Sequence, residues 1–209
     1  QACDFHCGAG SDLQGCALGS AGSCLGCAPG TVKAAAGVDA CTACAPGSAQ
    51  AGTGALACTT CAVGRFQSTA GEPSCEPCAA GQFASSTGAA ACSPCAVGSY
   101  SAAGAGKCTT CAAGKHQNQL GQTACTACAA GTYVAVTGST ACTDCAAGKF
   151  QSTAGAADCE ACNYHCGAGT RHQGCGLSQP GTCVGCAAGS FKPTAGDSAC
   201  SLCATGRSQ

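Results

Sequence analysis

Cys61-Ala62-Val63-Gly64-Arg65-Phe66-Gln67-Ser68-Thr69-Ala70-Gly71-Glu72-Pro73-Ser74-Cys75-Glu76-Pro77-Cys78 is one period of a pattern that governs the whole chain. It opens on a cysteine, reaches a glycine, an aromatic ring and a second glycine in turn, and closes on a Cys-x-x-Cys pair. Such pairs recur about every seventeen residues: Cys24/Cys27, Cys41/Cys44, Cys58/Cys61, Cys75/Cys78, Cys92/Cys95, Cys108/Cys111, Cys125/Cys128, Cys142/Cys145 and Cys159/Cys162, then Cys183/Cys186 and Cys200/Cys203. The repeat that ends at Cys108 is one residue short. A period this regular decides the architecture before any single residue is weighed.

Composition sets the compartment and the source of stability. Twenty-seven of 209 residues are cysteine, well above the level that marks a disulfide scaffold. Reducing cytosol keeps thiols free, so the setting expected is oxidising and extracellular, at the cell surface or beyond it. Aromatics are 4% of the chain, and Trp and Met are absent. The 46% hydrophobic content is mostly Ala and Cys, which bury little area each, so a large packed core is excluded. Covalent closure takes its place: a loop of about 15 residues closed by a disulfide gains roughly 3 kcal/mol in the chain-entropy model.

Charged residues are only 8% and the net charge is −1. That excludes the clustered Lys/Arg footprint of a nucleic-acid binder and any polybasic membrane signal. No apolar run approaches the ~18 residues that span a bilayer, so no direct membrane insertion is expected of these residues.

A second period overlies the first. Cys3-Asp4-Phe5-His6-Cys7-Gly8-Ala9-Gly10 returns as Cys162-Asn163-Tyr164-His165-Cys166-Gly167-Ala168-Gly169, an offset of 159 residues, and Cys16, Cys24 and Cys27 match Cys175, Cys183 and Cys186. The expected organisation is a long cysteine-rich module at 1–27, eight short repeats over 28–161, a second long module at 162–186 and the start of another short run at 187–209. In this register both ends fall inside a module, which predicts a longer parent chain.

Within the short repeat the first glycine (Gly30, Gly47, Gly64, Gly81) and the second (Gly54, Gly71, Gly88, Gly104) hold fixed slots, as expected of positive-φ turns or close backbone approaches. The ring slot holds Phe66, Phe83, Tyr100, Tyr133, Phe150 and Phe191, with Val32, Ala49 and His116 as departures. One ring per repeat is expected to stack on a disulfide and seal the joint to the neighbour. Between the glycines there is room for one short hairpin and essentially no helix, with a run such as Tyr133-Val134-Ala135-Val136-Thr137 suited to a strand. The fold class predicted is therefore small and disulfide-rich: short β-hairpin repeats stacked into an elongated rod, on the order of 100 Å for ten slabs. Each repeat is expected to touch only its immediate neighbours.

The pairing rule is tested by parity. If the second cysteine of each pair bonds the first of the next, the short loops close as Cys27–Cys41, Cys44–Cys58, Cys61–Cys75, Cys78–Cys92, Cys95–Cys108, Cys111–Cys125, Cys128–Cys142, Cys145–Cys159 and Cys186–Cys200. If each long module crosses its four, the bonds are Cys3–Cys16 with Cys7–Cys24, and Cys162–Cys175 with Cys166–Cys183. Only Cys203 is then left unpaired. The rival register bonds each Cys-x-x-Cys to itself, an arrangement typical of redox-active pairs and a poor staple; it strands Cys3 instead. Sequence alone leaves the connectivity open.

These residues resemble the cysteine-rich repeats of ephrin-receptor-like and tumour-necrosis-factor-receptor-like ectodomains across essentially the whole chain. The short loop is similar to their first submodule and the long module to their crossed-disulfide one. The resemblance implies the fold and an extracellular setting; it does not fix a function. Similar Ala/Gly-rich arrays occur in surface proteins of algae and other protists, including components of flagellar hairs.

Other chemistries are weighed against this frame. The cysteine spacing lies close to that of Zn(Cys)4 sites, but adjacent pairs overlap without breaking into fours, and eight Lys and Arg would face many excess thiolate charges. His6 and His165 precede Cys7 and Cys166, where a turn residue beside a disulfide is the plainer reading than a Cys-His catalytic pair. His116 stands in the ring slot and His172 in a polar loop. Glu72, Glu76, Asp144, Asp158 and Glu160 are scattered, with Asp158 and Glu160 the only pair suggesting weak calcium binding. No cofactor or resident metal is expected, nor an enzyme. Ser and Thr in stretches such as Gln67-Ser68-Thr69-Ala70-Gly71 and Gln151-Ser152-Thr153-Ala154-Gly155 are candidate O-glycan sites. The function expected is a structural extracellular protein that self-associates into a filament or surface coat, a flagellar hair (mastigoneme) being the object best suited. The alternative is a receptor or adhesin ectodomain that uses the array as a stalk or ligand-binding face.

Overall fold

The computed structural model of the chain describes residues 6–17, 20–162 and 165–204. Among them there is no helix; each short repeat contributes a two-residue antiparallel hairpin. Arg65–Phe66 pairs with Glu76–Pro77, Gln82–Phe83 with Ser93–Pro94, and Thr132–Tyr133 with Thr143–Asp144. The first strand follows directly from a tight turn. In Ala28-Pro29-Gly30-Thr31 the Thr31 N–H donates to Ala28 O at 3.0 Å, and Gly30 takes φ +82° at the third position, where a side chain is strained. The threonine hydroxyl donates to the same carbonyl at 2.8 Å.

The hairpin differs from the one expected between the two glycines. Its second strand lies beyond the closing cysteine, in the Cys-x-x-Cys spacer, so the segment from the ring slot to that cysteine forms the hairpin's long loop. The strand expected over 133–137 is reduced to Thr132–Tyr133. The disulfide explains the shortening: it anchors the spacer beside the turn and leaves the loop between them to pack elsewhere.

The long modules carry longer hairpins. Ser11–Ala17 pairs with Ser20–Gly26, and Thr170–Gln173 pairs with Thr182–Gly185.

Two compact units are present. In the first, residues 1–109 with 119–124, successive repeats are joined by backbone hydrogen bonds. The Gly30 N–H donates to Gln50 O at 2.6 Å, Gly47 to Gln67 O at 2.7 Å and Gly64 to Ala84 O at 2.9 Å. Two further bonds lead to a contact one repeat further on: Cys44 N–H donates to Gly30 O at 2.8 Å and Gly71 N–H to Cys44 O at 2.9 Å, and this brings the Gly71 carbonyl oxygen against Gly30, two repeats away. Gly47 meets Gly88, and Gly64 meets Gly104, in the same way. The nearest-neighbour expectation is therefore corrected. Three consecutive repeats converge at Gly30, Gly47 and Gly64, because the loop beyond the ring folds back over two repeats.

The second unit, residues 110–118 with 125–209, repeats the scheme: Gly114 N–H donates to Val134 O at 2.8 Å and Gly155 N–H to Cys128 O at 2.8 Å, with Gly155 O against Gly114. At Gly131 the covering backbone is that of Leu177 and Ser178 from the long module. Leu177 also accepts from Gln151 N–H at 2.6 Å, and it adopts φ +46° to do so. The long module thus supplies the cover that a third short repeat supplies elsewhere.

The core is made of cysteine. Cys7, Cys27, Cys44, Cys61, Cys78, Cys95, Cys111, Cys128 and Cys166 are the largest fully buried side chains.

Candidate functional site

In a repeat protein the working parts are the covalent ladder and the face turned outward. The bonded sulfurs join Cys27–Cys41, Cys44–Cys58, Cys61–Cys75, Cys78–Cys92, Cys95–Cys108, Cys111–Cys125, Cys128–Cys142, Cys145–Cys159 and Cys186–Cys200 in the short repeats. Cys7–Cys24, Cys162–Cys175 and Cys166–Cys183 are bonded in the long modules. Their Cα atoms stand 5.5 Å apart in Cys7–Cys24 and 5.8 Å apart in Cys186–Cys200, within the span a disulfide needs. Cys16 is disulfide-bonded; the expected Cys3–Cys16 pairing falls on Cys3, which lies outside the described residues. Cys203 is a free, half-exposed thiol.

Most short-loop disulfides have an inner and an outer end. Cys128 is 0% exposed, while its partner Cys142 is half-exposed, and Cys61–Cys75 and Cys78–Cys92 have the same polarity. The cause is the fold-back: the first cysteine of each repeat lies under the glycine of a later one, whereas the second precedes the exposed spacer.

The rings are not the deepest side chains. Phe66, Phe83, Tyr100 and Tyr133 are half-buried, Phe150 is buried and Phe191 is 39% exposed. The position that follows the ring is deeper, and it is mostly polar: Lys33, Gln67, Ser101, Gln117, Gln151 and Lys192 are all buried there. The sequence reading missed this slot, although Gln recurs in it at Gln50, Gln67, Gln117 and Gln151. Gln67 shows why. Its Nε2 donates to Ser74 O at 2.8 Å and its Oε1 accepts from Thr69 N–H at 3.0 Å, which braces both sides of the loop. Gln151 does the same with Asp158 O at 2.9 Å and Thr153 N–H at 3.0 Å.

In the two repeats that follow a long module the slot holds lysine. Lys33 Nζ donates to Ser11 O at 2.9 Å and Gly37 O at 2.8 Å; Lys192 Nζ donates to Cys166 O at 3.2 Å and also to Gly196 O. An ammonium reaches where the shorter amide does not, tying the long module to the repeat behind it.

His116 brings Nδ1 to 3.2 Å from Cys142 Sγ. His116, Cys128 and Cys142 offer ligand atoms within 4.8 Å of one another, but the two sulfurs are bonded to each other, so they are not thiolate ligands. His165 lies 3.7 Å from Asp197, both well exposed, and His172 Nε2 lies 3.2 Å from Pro180 O. His6, Glu72, Glu76, Asp144, Asp158 and Glu160 are exposed, and the Asp158 Oδ1 accepts from Cys159 N–H at 2.7 Å. Ser68, Thr69, Ser152 and Thr153 are exposed in the loops, as are the spacer threonines Thr42, Thr59, Thr126 and Thr143.

The outer face is poor in charge and dotted with aliphatic groups. Leu25, Val38, Leu56, Leu120, Val136 and Leu202 are each more than half exposed. No helix among the described residues is long and apolar enough to cross a membrane.

The family model described as tyrosine-protein kinase ephrin type A/B receptor-like matches residues 47–95, 98–145 and 131–175, more than half of the chain. A comparison with curated proteins found no match.

Proposed function

Because the chain belongs to the ephrin type A/B receptor-like family of cysteine-rich repeats, a type built for the outside of cells, we propose that it is a structural subunit of an extracellular filament or surface coat. The observation that carries this reading is the outer face. Soluble globular domains are about 25% Lys, Arg, Glu and Asp overall, whereas only 8% of this chain is charged and large aliphatic side chains stand out along it. Such a face loses little on desolvation and gains when it packs against a copy of itself. A contact that does not close on itself extends into a filament, and a flagellar hair is the object that best suits a 159-residue super-repeat.

The same reading takes the 1–27, 28–161, 162–186 and 187–209 segments as the modules, and the inner-to-outer disulfide pattern as the native connectivity, to be checked by peptide mapping of unreduced protein. Exposed serines and threonines are its O-glycan sites.

Electron microscopy of the native, unreduced, full-length protein tests the assembly. Filaments with an axial repeat commensurate with 159 residues support it. Single molecules anchored at one end would replace it with the receptor or adhesin reading, which the family match itself favours and in which the array is a stalk or a ligand-binding face.

A further inference from the structure

The two long modules present the same hairpin with opposite charge. Asp12 stands opposite Leu25 where Ser11–Ala17 pairs with Ser20–Gly26. Its equivalent 159 residues on is Arg171, which stands opposite Val184 where Thr170–Gln173 pairs with Thr182–Gly185. Between residues 1–44 and their equivalents at 160–203 this is the one position where the charge is reversed. On the reading that the chain is a self-associating subunit, we propose that the Arg171 face of one copy docks head to tail on the Asp12 face of a second copy.

The receiving face is built on the first hairpin. Opposed residues of an antiparallel pair share a face, and alternation places Gln14 and Ser23 beside Asp12 and Leu25. Leu25 is 56% exposed and Asp12 is half-buried. They border an open cleft of about 370 Å³ whose walls also include Gln14, Gly26, Ala28 and Thr31. Gln14 Nε2 donates to Asp12 Oδ1 at 3.2 Å. That bond holds the carboxylate at the cleft and leaves acceptor sites for a further donor.

The entering face is its counterpart. Arg171, Gln173 and Thr182 are exposed, and Val184 is half-buried beside them. The ion pair among the described residues joins His165 to Asp197 and uses neither Arg171 nor Asp12. A guanidinium meets a carboxylate through two parallel N–H donors, and its aliphatic stem covers apolar surface on the way. Arg171 laid over Leu25 toward Asp12 satisfies both requirements, and Val184 adds a second apolar group to the contact.

A second copy is the occupant because this chain carries both halves of the contact. Like faces brought together would oppose like charges, which is costly, so the pairing is between unlike faces. Every copy in such a pairing keeps one face of each kind, and a heterologous contact of this type extends from copy to copy.

The test uses the chain with its disulfides intact and the free Cys203 alkylated, so that no disulfide joins copies. Sedimentation reads mass against concentration. The expected result is association beyond the dimer that weakens as salt is raised, since exposed charges are screened. Asp12→Arg and Arg171→Asp each set like charges face to face, and each is expected to raise the concentration for half-association at least about tenfold. Mixing the two variants in equal amounts restores opposite charges at every junction and is expected to restore association. Unchanged association in both variants, or no rescue on mixing, would overturn the contact while leaving self-assembly in place. A chain that stays monomeric at every concentration would overturn contact and assembly together. If either reversal disturbs the native disulfide map, Arg171→Gln decides: association equal to that of the unaltered chain overturns the contact.

Discussion

The carbonyl oxygen of Gly71 fills the space that a side chain on Gly30 would need, although a complete disulfide loop, Cys44–Cys58, lies between the loops that hold the two glycines. The same contact recurs at Gly47 with Gly88 and at Gly114 with Gly155. It makes each of these three first-slot glycines, Gly30, Gly47 and Gly114, a three-body joint.

Gly47→Ala tests this joint. The substitution places a Cβ against Gly88 O and forces alanine to φ +84°. Left-handed backbone costs about 1–2 kcal/mol and the overpacking about 1–3 kcal/mol more. Native-state amide exchange is the suitable readout, since long arrays do not unfold in one step. Protection is expected to fall at Gly88 N–H, two repeats away, as well as at Gly47. Gly148→Ala is the control: it carries φ +77° with open space around it, so it should lose only the left-handed backbone term, about 1–2 kcal/mol. A change confined to the mutated repeat in Gly47→Ala would return the array to nearest-neighbour coupling.

Lys33→Met removes the ammonium that links Ser11 O to Gly37 O while keeping the apolar stem. Two carbonyls in a buried site lose their donor, which costs about 1–3 kcal/mol. Limited proteolysis of the unreduced chain is expected to cut faster between the first long module and the repeat that begins at Cys27. Lys192→Met should act in the same way at the second junction, where Cys166 O and Gly196 O are the partners. Resistance equal to the unaltered chain at both junctions would show that the two lysines are only passengers in their slot.

The ring slot separates two environments with one substitution. Phe150 is 8% exposed and Phe191 is 39% exposed. Phe150→Ala should cost about 3–5 kcal/mol, as for a buried phenylalanine, and Phe191→Ala no more than about 0.5 kcal/mol, as for a surface position. Local exchange at the Lys149–Phe150 and Ser190–Phe191 hairpins measures the contrast. Similar losses at the two positions would mean that exposure does not rank the rings.

Much of this fold was legible in the sequence because its rules are local. Two glycines and the cysteines at fixed slots announce a tight turn and a short closed loop, and absence of large side chains announces a disulfide core. What stayed hidden is long-range. Nothing in the residues at Gly30 and Gly71 says that they touch, since glycine at both slots also suits a simple turn. The buried polar position was masked by its chemistry: Gln67 and Lys33 read as surface residues, and only their backbone partners explain their burial. The shift of the hairpin into the Cys-x-x-Cys spacer was missed because Glu76–Pro77 has no strand signature; the disulfide, not propensity, places it there.

Gln67→Ala probes that buried polar position where it carries the most. The amide gives one hydrogen bond to Ser74 O and takes one from Thr69 N–H, closing the loop from inside. Its removal deletes two hydrogen bonds with exposed residues, one to the Ser74 carbonyl and one from the Thr69 N–H, a loss of about 0.5–1.5 kcal/mol for each bond. The disulfide Cys61–Cys75 still holds the loop ends, so the repeat should remain folded and the damage appear as faster exchange at Thr69 N–H. Gln67→Glu keeps the acceptor for Thr69 and loses the donor to Ser74, so it is expected to restore protection at Thr69 only in part. Full protection at Thr69 in Gln67→Ala would mean that the disulfide alone shapes the loop, and that the recurring glutamine has another role.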